Sequence, residues 1–185
     1  MLKEAENPPI SWPPGKSIRD FAGLWWVAHT KSRNEKALAQ DLVSKDISYF
    51  LPMSWRIHRR KGRTLRSLLP VFSSYLFFCG QESQRLEVLK TNRVANLLVV
   101  NDQQKFLAEL LQIEQALRSG ASLVPHKYIK AGQLCRVIAG PLAELRGIII
   151  RTKTATRLVL QVDMLGQATS AEIDADMIEI LEDQK

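Results

Sequence analysis

Apolar positions along the chain follow two rhythms. Residues 24–29, a Leu-Trp-Trp-Val-Ala-His run, and residues 71–79, with Phe72, Tyr75, Leu76, Phe77 and Phe78, have the apolar and aromatic density of strands. Between them Ser32 and Glu35 have capping-box spacing, and Ala37, Leu38, Leu42 and Val43 supply an apolar stripe. A helix is therefore predicted from that box to Lys45 and Asp46. Residues 47–51 resume as extended chain, and residues 53–69 fit two antiparallel strands turning near Lys61 and Gly62, where glycine can adopt positive φ. A short helix over 83–90 and a strand over 93–100 follow. Asp102 then caps a long helix, whose Phe106, Leu107, Leu110, Leu111, Ile113, Ala116 and Leu117 recur at intervals of three and four until Ser119 and Gly120 stop it.

The order strand, helix, three strands, helix, strand predicts an α+β unit, a mainly antiparallel sheet with flanking helices. Beyond it the pattern changes. Residues 133–139, 147–152, 157–164 and 168–173 and a last short strand, broken at Gly140-Pro141 and Leu165-Gly166-Gln167, predict a small all-β, SH3-like barrel of five strands. The expected divisions are a flexible extension over 1–23, a first domain over 24–119, a linker over 120–127 and a second domain over 128–185. The extension carries Pro8, Pro9, Pro13 and Pro14, and its Trp12 is either solvated or docked.

With 185 residues and 45% hydrophobic content, the chain is long enough for one ordinary domain or two small ones. It has no run of about 18 apolar residues and no apolar signal region near Met1, so a cytoplasmic location is expected. Cys79 and Cys135 are the only cysteines, and His29, His58 and His126 the only histidines. None has metal-ligand spacing, and both cysteines are expected in cores. No phosphate loop, nucleophile elbow or paired carboxylate is present, so neither an enzyme nor a cofactor is expected.

Charge adds a polyanion partner to the picture. Residues 1–125 hold 18 basic and 11 acidic side chains, whereas residues 126–185 hold 8 of each, so the whole net charge of +7 lies in the first part. Within residues 56–66, Arg56, Arg59, Arg60, Lys61, Arg63 and Arg66 occur with no acidic residue between them. Such a run is either a solvated loop or a nucleic-acid contact, and its adjacency to an aromatic strand favours the contact.

Two further motifs carry a resemblance. Gly132-Gln-Leu-Cys-Arg-Val137-Ile-Ala-Gly140-Pro141-Leu-Ala-Glu-Leu-Arg-Gly147-Ile-Ile resembles a KOW motif, and residues 162–174 resemble the closing hairpin of the KOW domain in NusG-family proteins. Residues 25–37 and 69–77 resemble the N-terminal domain of that family. Ser73-Ser74 stands where the family often has Pro-Gly or Pro-Asn, and Arg93 replaces a glycine. Leu142 and Glu144 replace the usual Phe and Gly of the KOW loop.

The resemblance implies a transcription elongation or antitermination regulator, a specialised paralogue similar to RfaH and the UpxY proteins and acting on selected operons. Its first domain would dock on the clamp helices of the largest RNA polymerase subunit through Trp26, His29, Val71, Phe72, Tyr75 and Phe77. Strand alternation alone puts one of the pairs Leu76/Phe78 and Tyr75/Phe77 in the core and leaves the other available. Lys31, Arg33, Asn34 and Lys36, with Arg59, Arg60, Lys61 and Arg63, would meet non-template or upstream DNA, by base reading or by phosphate attraction alone. The KOW domain would recruit a ribosomal protein, a termination factor or RNA. The chain is expected to be a monomer without a membrane partner. An RNA-binding or ribosome-associated KOW adaptor is the alternative function.

Overall fold

Two cross-strand rows of side chains organise the first part of the chain. The structure is a computed structural model that describes residues 6–60, 63–129, 132–152 and 154–181. It separates into two units, Met1–Gln103 and Gln104–Lys185.

The first unit runs through β1 (Ser11–Trp12), β2 (Leu24–Thr30), α1 (Glu35–Ser44), β3 (Ser48–Phe50), β4 (Met53–Arg60), β5 (Arg63–Pro70), β6 (Tyr75–Gly80), α2 (Glu82–Lys90) and β7 (Val94–Val99). Five strands form one antiparallel sheet in the order β1-β3-β6-β2-β7, and β4 and β5 pair as a separate ribbon. Register aligns Trp26, Phe78 and Tyr49 in one row and Val27, Phe77 and Phe50 in the next. Because successive residues point to opposite faces, the two rows lie on opposite sides of the sheet. On the first side Ala28, Tyr49, Leu76 and Phe78 pack with Leu38, Ala39 and Leu42 of α1 and Val88 of α2. On the second, Val27, Phe50 and Phe77 are equally buried.

Burial on both faces revises the expectation that one of the pairs Leu76/Phe78 and Tyr75/Phe77 stays available. Leu76, Phe77 and Phe78 are all fully buried, and Tyr75 alone is half-exposed. A sheet covered on both sides needs a near-continuous apolar run, which is what residues 75–79 supply. Where the chain enters β2, Gly23 has φ +125°, and a Cβ there would lie 2.6 Å from the Gly80 backbone, so the strands meet with no room for a side chain.

Residues 6–23 were expected to be a flexible extension, and the structure packs them. Ser11 and Trp12 pair with Phe50 and Tyr49, Ile18 is fully buried, and Trp12 Nε1 donates to Asp46 Oδ1 at 3.0 Å. Backbone pairing, which needs no apolar periodicity, holds this segment.

The second unit contains nearly all of α3 (Gln103–Arg118), then β8 (Val124–His126), β9 (Gln133–Val137), β10 (Arg146–Arg151), β11 (Thr156–Val162), β12 (Gln167–Ile173) and β13 (Ile178–Ile180). The division thus falls after the first residue of the helix that the sequence assigned to the first domain. Gln112 Oε1 accepts from Arg146 N at 2.6 Å, and Gln115 Nε2 donates to Ala143 O at 2.7 Å. The strands form a six-stranded antiparallel sheet in the order β13-β9-β10-β11-β12-β8. The added strand, β8, lies in the expected linker and pairs with β12. Gly147, from the KOW-like motif, sits in β10 where a Cβ would come 2.4 Å from Val159 O across the ladder. Only glycine permits that approach without a backbone shift.

Candidate functional site

The bend between β5 and β6 is built from two serines and a distant carboxylate. Tyr75 N donates to Phe72 O at 3.3 Å, which closes a four-residue turn, and Ser74 at its third position has φ +66°. A glycine would adopt that angle without strain, whereas an L-residue there costs about 1 kcal/mol. Two contacts hold it. Thr30 N donates to Ser74 O at 2.8 Å, and Ser74 N donates to Glu35 Oε1 at 2.6 Å. Hydrogen bonds to a charged acceptor contribute roughly 1.5–3 kcal/mol, enough to offset the turn's strain.

That second contact displaces the predicted capping box. Helix α1 begins at Glu35 after Asn34, which makes no side-chain cap, while the Glu35 carboxylate is buried against the bend. Asn34 Nδ2 donates instead to Ser32 O at 3.0 Å. The first turn of α1 is thereby committed to supporting the chain ahead of Tyr75.

The six residues assigned to polymerase docking fall into three settings. His29 and Tyr75, opposite each other on the β2–β6 ladder, stack with ring centres 5.0 Å apart and are half-exposed. Val71, Phe72 and Phe77 are buried, with the Phe72 and Phe77 rings edge-to-face at 5.9 Å. Trp26 lies on the other face of the sheet, stacked against Phe78, with the Arg85 guanidinium 5.4 Å from its ring centre. Strand alternation separates Trp26 from His29, because residues three apart on a strand point to opposite sides. The structure therefore brings together His29 and Tyr75, buries Val71, Phe72 and Phe77, and leaves Trp26 on the other face.

The basic corner is similarly divided. Lys31 and Arg33 are exposed, and Lys31 Nζ donates to Asn92 Oδ1 at 2.8 Å. Asn34 Oδ1 accepts from Arg93 at 3.2 Å, and the Arg93 guanidinium also pairs with the Asp41 carboxylate. The charge that Arg93 adds to the family pattern is thus matched within the unit. Lys36 is half-buried, its ammonium donating to Asn7 Oδ1 and Leu68 O. Desolvation lowers its pKa from the ordinary lysine value, outweighing the neighbouring Glu35 charge.

On the β4–β5 ribbon, Arg59 pairs with Thr64 and Arg60 with Arg63. Lys61 lies outside the described residues, as do the side chains of Arg59, Arg60 and Arg63. Lower on the ribbon the Arg66 guanidinium sits 5.0 Å from the Trp55 ring centre, and Ile57 is 66% exposed. Trp55 and Arg66 were missed as a pair because their proximity comes from ladder register across a turn. A cation over an aromatic ring on an exposed ribbon can stack on a base and attract phosphate.

Other chemistry is limited. Cys79 and Cys135 are free and buried, and burial pushes the Cys79 thiol up to about 11. Among the described residues no group of three or more His, Cys, Asp or Glu side chains could hold a metal ion. No helix among them is long and apolar enough to cross a membrane.

Comparison with protein-family models matches residues 23–114 to the family described as transcription termination factor nusG. The match begins at the Gly23 approach and ends within α3, taking in about half of the chain. Among solved structures, the chain is similar to the crystal structure of the MjSpt4:Spt5 complex in conformation B, at 16% identity and a TM-score of 0.26. That likeness covers 88% of this chain and 99% of the other, and at such a score it carries no argument. No curated protein matches the chain. Members of the matched family are transcription factors and not enzymes. Strands β2, β3, β6 and β7 of the sheet, the Glu35-held bend and the His29–Tyr75 pair thus lie in a segment, residues 23–114, that is a NusG-family domain and implies a role in transcription elongation.

Proposed function

We propose that the protein is a transcription elongation or antitermination regulator whose first unit binds RNA polymerase, at the clamp helices of the largest subunit, and whose second unit recruits another partner. The observation that carries this is the half-exposed His29–Tyr75 stack beside a strained bend in a NusG-family domain. Stacked aromatic side chains give large contact area at low entropic cost and suit an anchor for a partner helix. Phe77, two residues along β6 from Tyr75 and on the same face, is buried with the Phe72 ring edge-to-face against it.

Lys31, Arg33 and the cationic β4–β5 ribbon would approach the non-template or upstream DNA, largely through phosphate attraction. Bound to both, the factor would favour the processive state of the polymerase by binding it better than the paused one. The second unit is proposed to be a KOW domain, on its six-stranded sheet and the tight Gly147 crossing. Its partner would be a ribosomal protein, a termination factor or RNA, with action on selected operons.

Affinity for purified core RNA polymerase tests the docking claim. Replacing both His29 and Tyr75 with alanine should weaken binding by about 2 kcal/mol, roughly thirtyfold, while the melting temperature stays close to that of the parent. Unchanged affinity would remove the docking role. Phe72→Ala is a poor substitute, since truncating a buried Phe costs about 3–5 kcal/mol of stability and confounds the measurement.

A further inference from the structure

Residues 6–12 lie ahead of the segment that matches the family, yet nearly every one of them is tied to a different part of the first unit. Gln40 Nε2 donates to Glu6 O at 3.0 Å, Tyr49 Oη donates to Pro9 O at 2.8 Å, and Leu51 N donates to Ile10 O at 2.7 Å. Pro8 is buried, and β1 completes the sheet edge against β3. This strap runs beside the root of the cationic ribbon.

The ribbon itself shares no ladder with the five-stranded sheet. It is held at its root by buried Met53, Ser54 and Ser67, and by Val71 N donating to Pro52 O at 2.8 Å. The Lys36 ammonium joins the three pieces: it stands on α1, takes one acceptor from the strap at Asn7 Oδ1 and the other from β5 at Leu68 O. Leu68 is opposite Trp55, the residue under the Arg66 guanidinium. A half-buried ammonium with two such acceptors resists displacement, because losing either leaves a charge short of partners in a partly desolvated site.

We propose that Lys36 is a positioning residue, which with Asn7 of the strap locks the orientation of the β4–β5 ribbon, and that it does not itself contact nucleic acid. The inference rests on the proposed nucleic-acid role of the ribbon for its consequence, and on the internal hydrogen bonds alone for the lock. It replaces the assignment of Lys36 to the nucleic-acid surface. The strap thereby becomes part of the binding apparatus, although it carries none of the ribbon's charge. A locked ribbon presents its cations as one preorganised set, whereas a loose one must be ordered at the moment of binding.

Asn7→Ala and Lys36→Met separate this from direct contact, with the full chain as the protein and two readouts. The first is amide hydrogen exchange. Asn7→Ala should speed exchange at Leu51, which reports the strap, and also at Val71 and along residues 65–69, which report the ribbon root. The second is binding of a fluorescein-labelled single-stranded DNA oligonucleotide over a salt series. Asn7→Ala keeps every cation, so affinity should fall about three- to tenfold with an unchanged salt slope. Lys36→Met should fall similarly, also with its slope unchanged.

Faster exchange confined to Leu51 would overturn the lock. So would a Lys36→Met slope reduced by about one with Asn7→Ala indistinguishable from the parent, which is the signature of a phosphate contact. If the parent chain does not bind the oligonucleotide, the nucleic-acid part of the proposed function fails, and the exchange data still decide the lock. Should Lys36→Met fail to fold, Asn7→Ala decides by itself.

Discussion

Two tight turns in this molecule place a residue in nearly the same left-handed conformation by opposite means. In the second unit Gly166 closes the turn from β11 to β12 at φ +58°, with its N–H donating to Asp163 O at 3.0 Å and no atom within 4 Å of where a Cβ would stand. In the first, Ser74 stands at φ +66° and depends on a carboxylate from a helix 39 residues away in the chain. The glycine turn follows from local chemistry. The serine turn exists because tertiary contacts over-determine it, and such retained strain concentrates where a surface has a task. The His29–Tyr75 pair begins directly after it.

The comparison breaks most severely at Glu35. Glu35→Ala should lower stability by about 2–3 kcal/mol in denaturant unfolding, since it leaves the Ser74 amide without its charged acceptor. Removing any side chain at the Gly166 turn should have no counterpart of that size. Next come the reciprocal exchanges. Gly166→Ser meets no steric obstacle, so its cost of about 1 kcal/mol should be backbone strain alone. Ser74→Gly should be neutral to stabilising by less than about 1 kcal/mol, relief of strain being partly cancelled by the greater freedom of glycine in the unfolded chain. A cost for Gly166→Ser with none for Ser74→Gly is what the comparison requires.

The smallest effect lies beside Gly166. Asp163 accepts from Tyr128 at 3.0 Å and pairs with Lys105 at 2.5 Å, and the Lys105 hydrogen bond holds its carboxyl below the usual aspartate value. A depressed native pKa means that the ionised form stabilises the fold above the unfolded value near 3.8, and that this contribution is lost as pH falls through the lower native value. The side chain is 39% exposed, so solvent screening limits the effect. Asp163→Asn should therefore cost less than about 0.5 kcal/mol at neutral pH, measured by thermal unfolding, and nothing once the medium is more acidic than the native pKa.

Much of this was legible in the sequence, for identifiable reasons. The strands around Trp26 and Phe77, helix α1 with its Leu38–Leu42 stripe, and the breaks at Gly140 and Gly166 are written as periodicity or turn chemistry within short windows. What escaped depends on distant partners. Ser32 and Glu35 have capping-box spacing, but the Glu35 carboxylate has a better partner in Ser74, and spacing alone cannot rank the two. Phe77 was expected on a docking surface from the family resemblance, and alternation could not correct this because it assigns faces without saying whether each is covered. The strap was read as flexible because proline-rich chain held through its carbonyls has no apolar signature. Lys36 looked like one more cation at a basic helix end, and only its acceptors, Asn7 and Leu68, distinguish it from exposed Lys31. Strand β8 fell within the expected linker, and its Pro125 is tolerated because β8 is the edge strand of its sheet.

The central claim is that Glu35 holds the Ser73–Ser74 bend so that the His29–Tyr75 pair meets RNA polymerase. It is tested most directly by the affinity of core polymerase for Glu35→Ala and for the Glu35→Ala/Ser74→Gly double variant, at a temperature where both are folded. Binding should be weaker for the single variant, and the double should recover most of the loss, because glycine makes the bend without help from the carboxylate. Parent-like binding by Glu35→Ala, or a double variant as weak as the single, would contradict it.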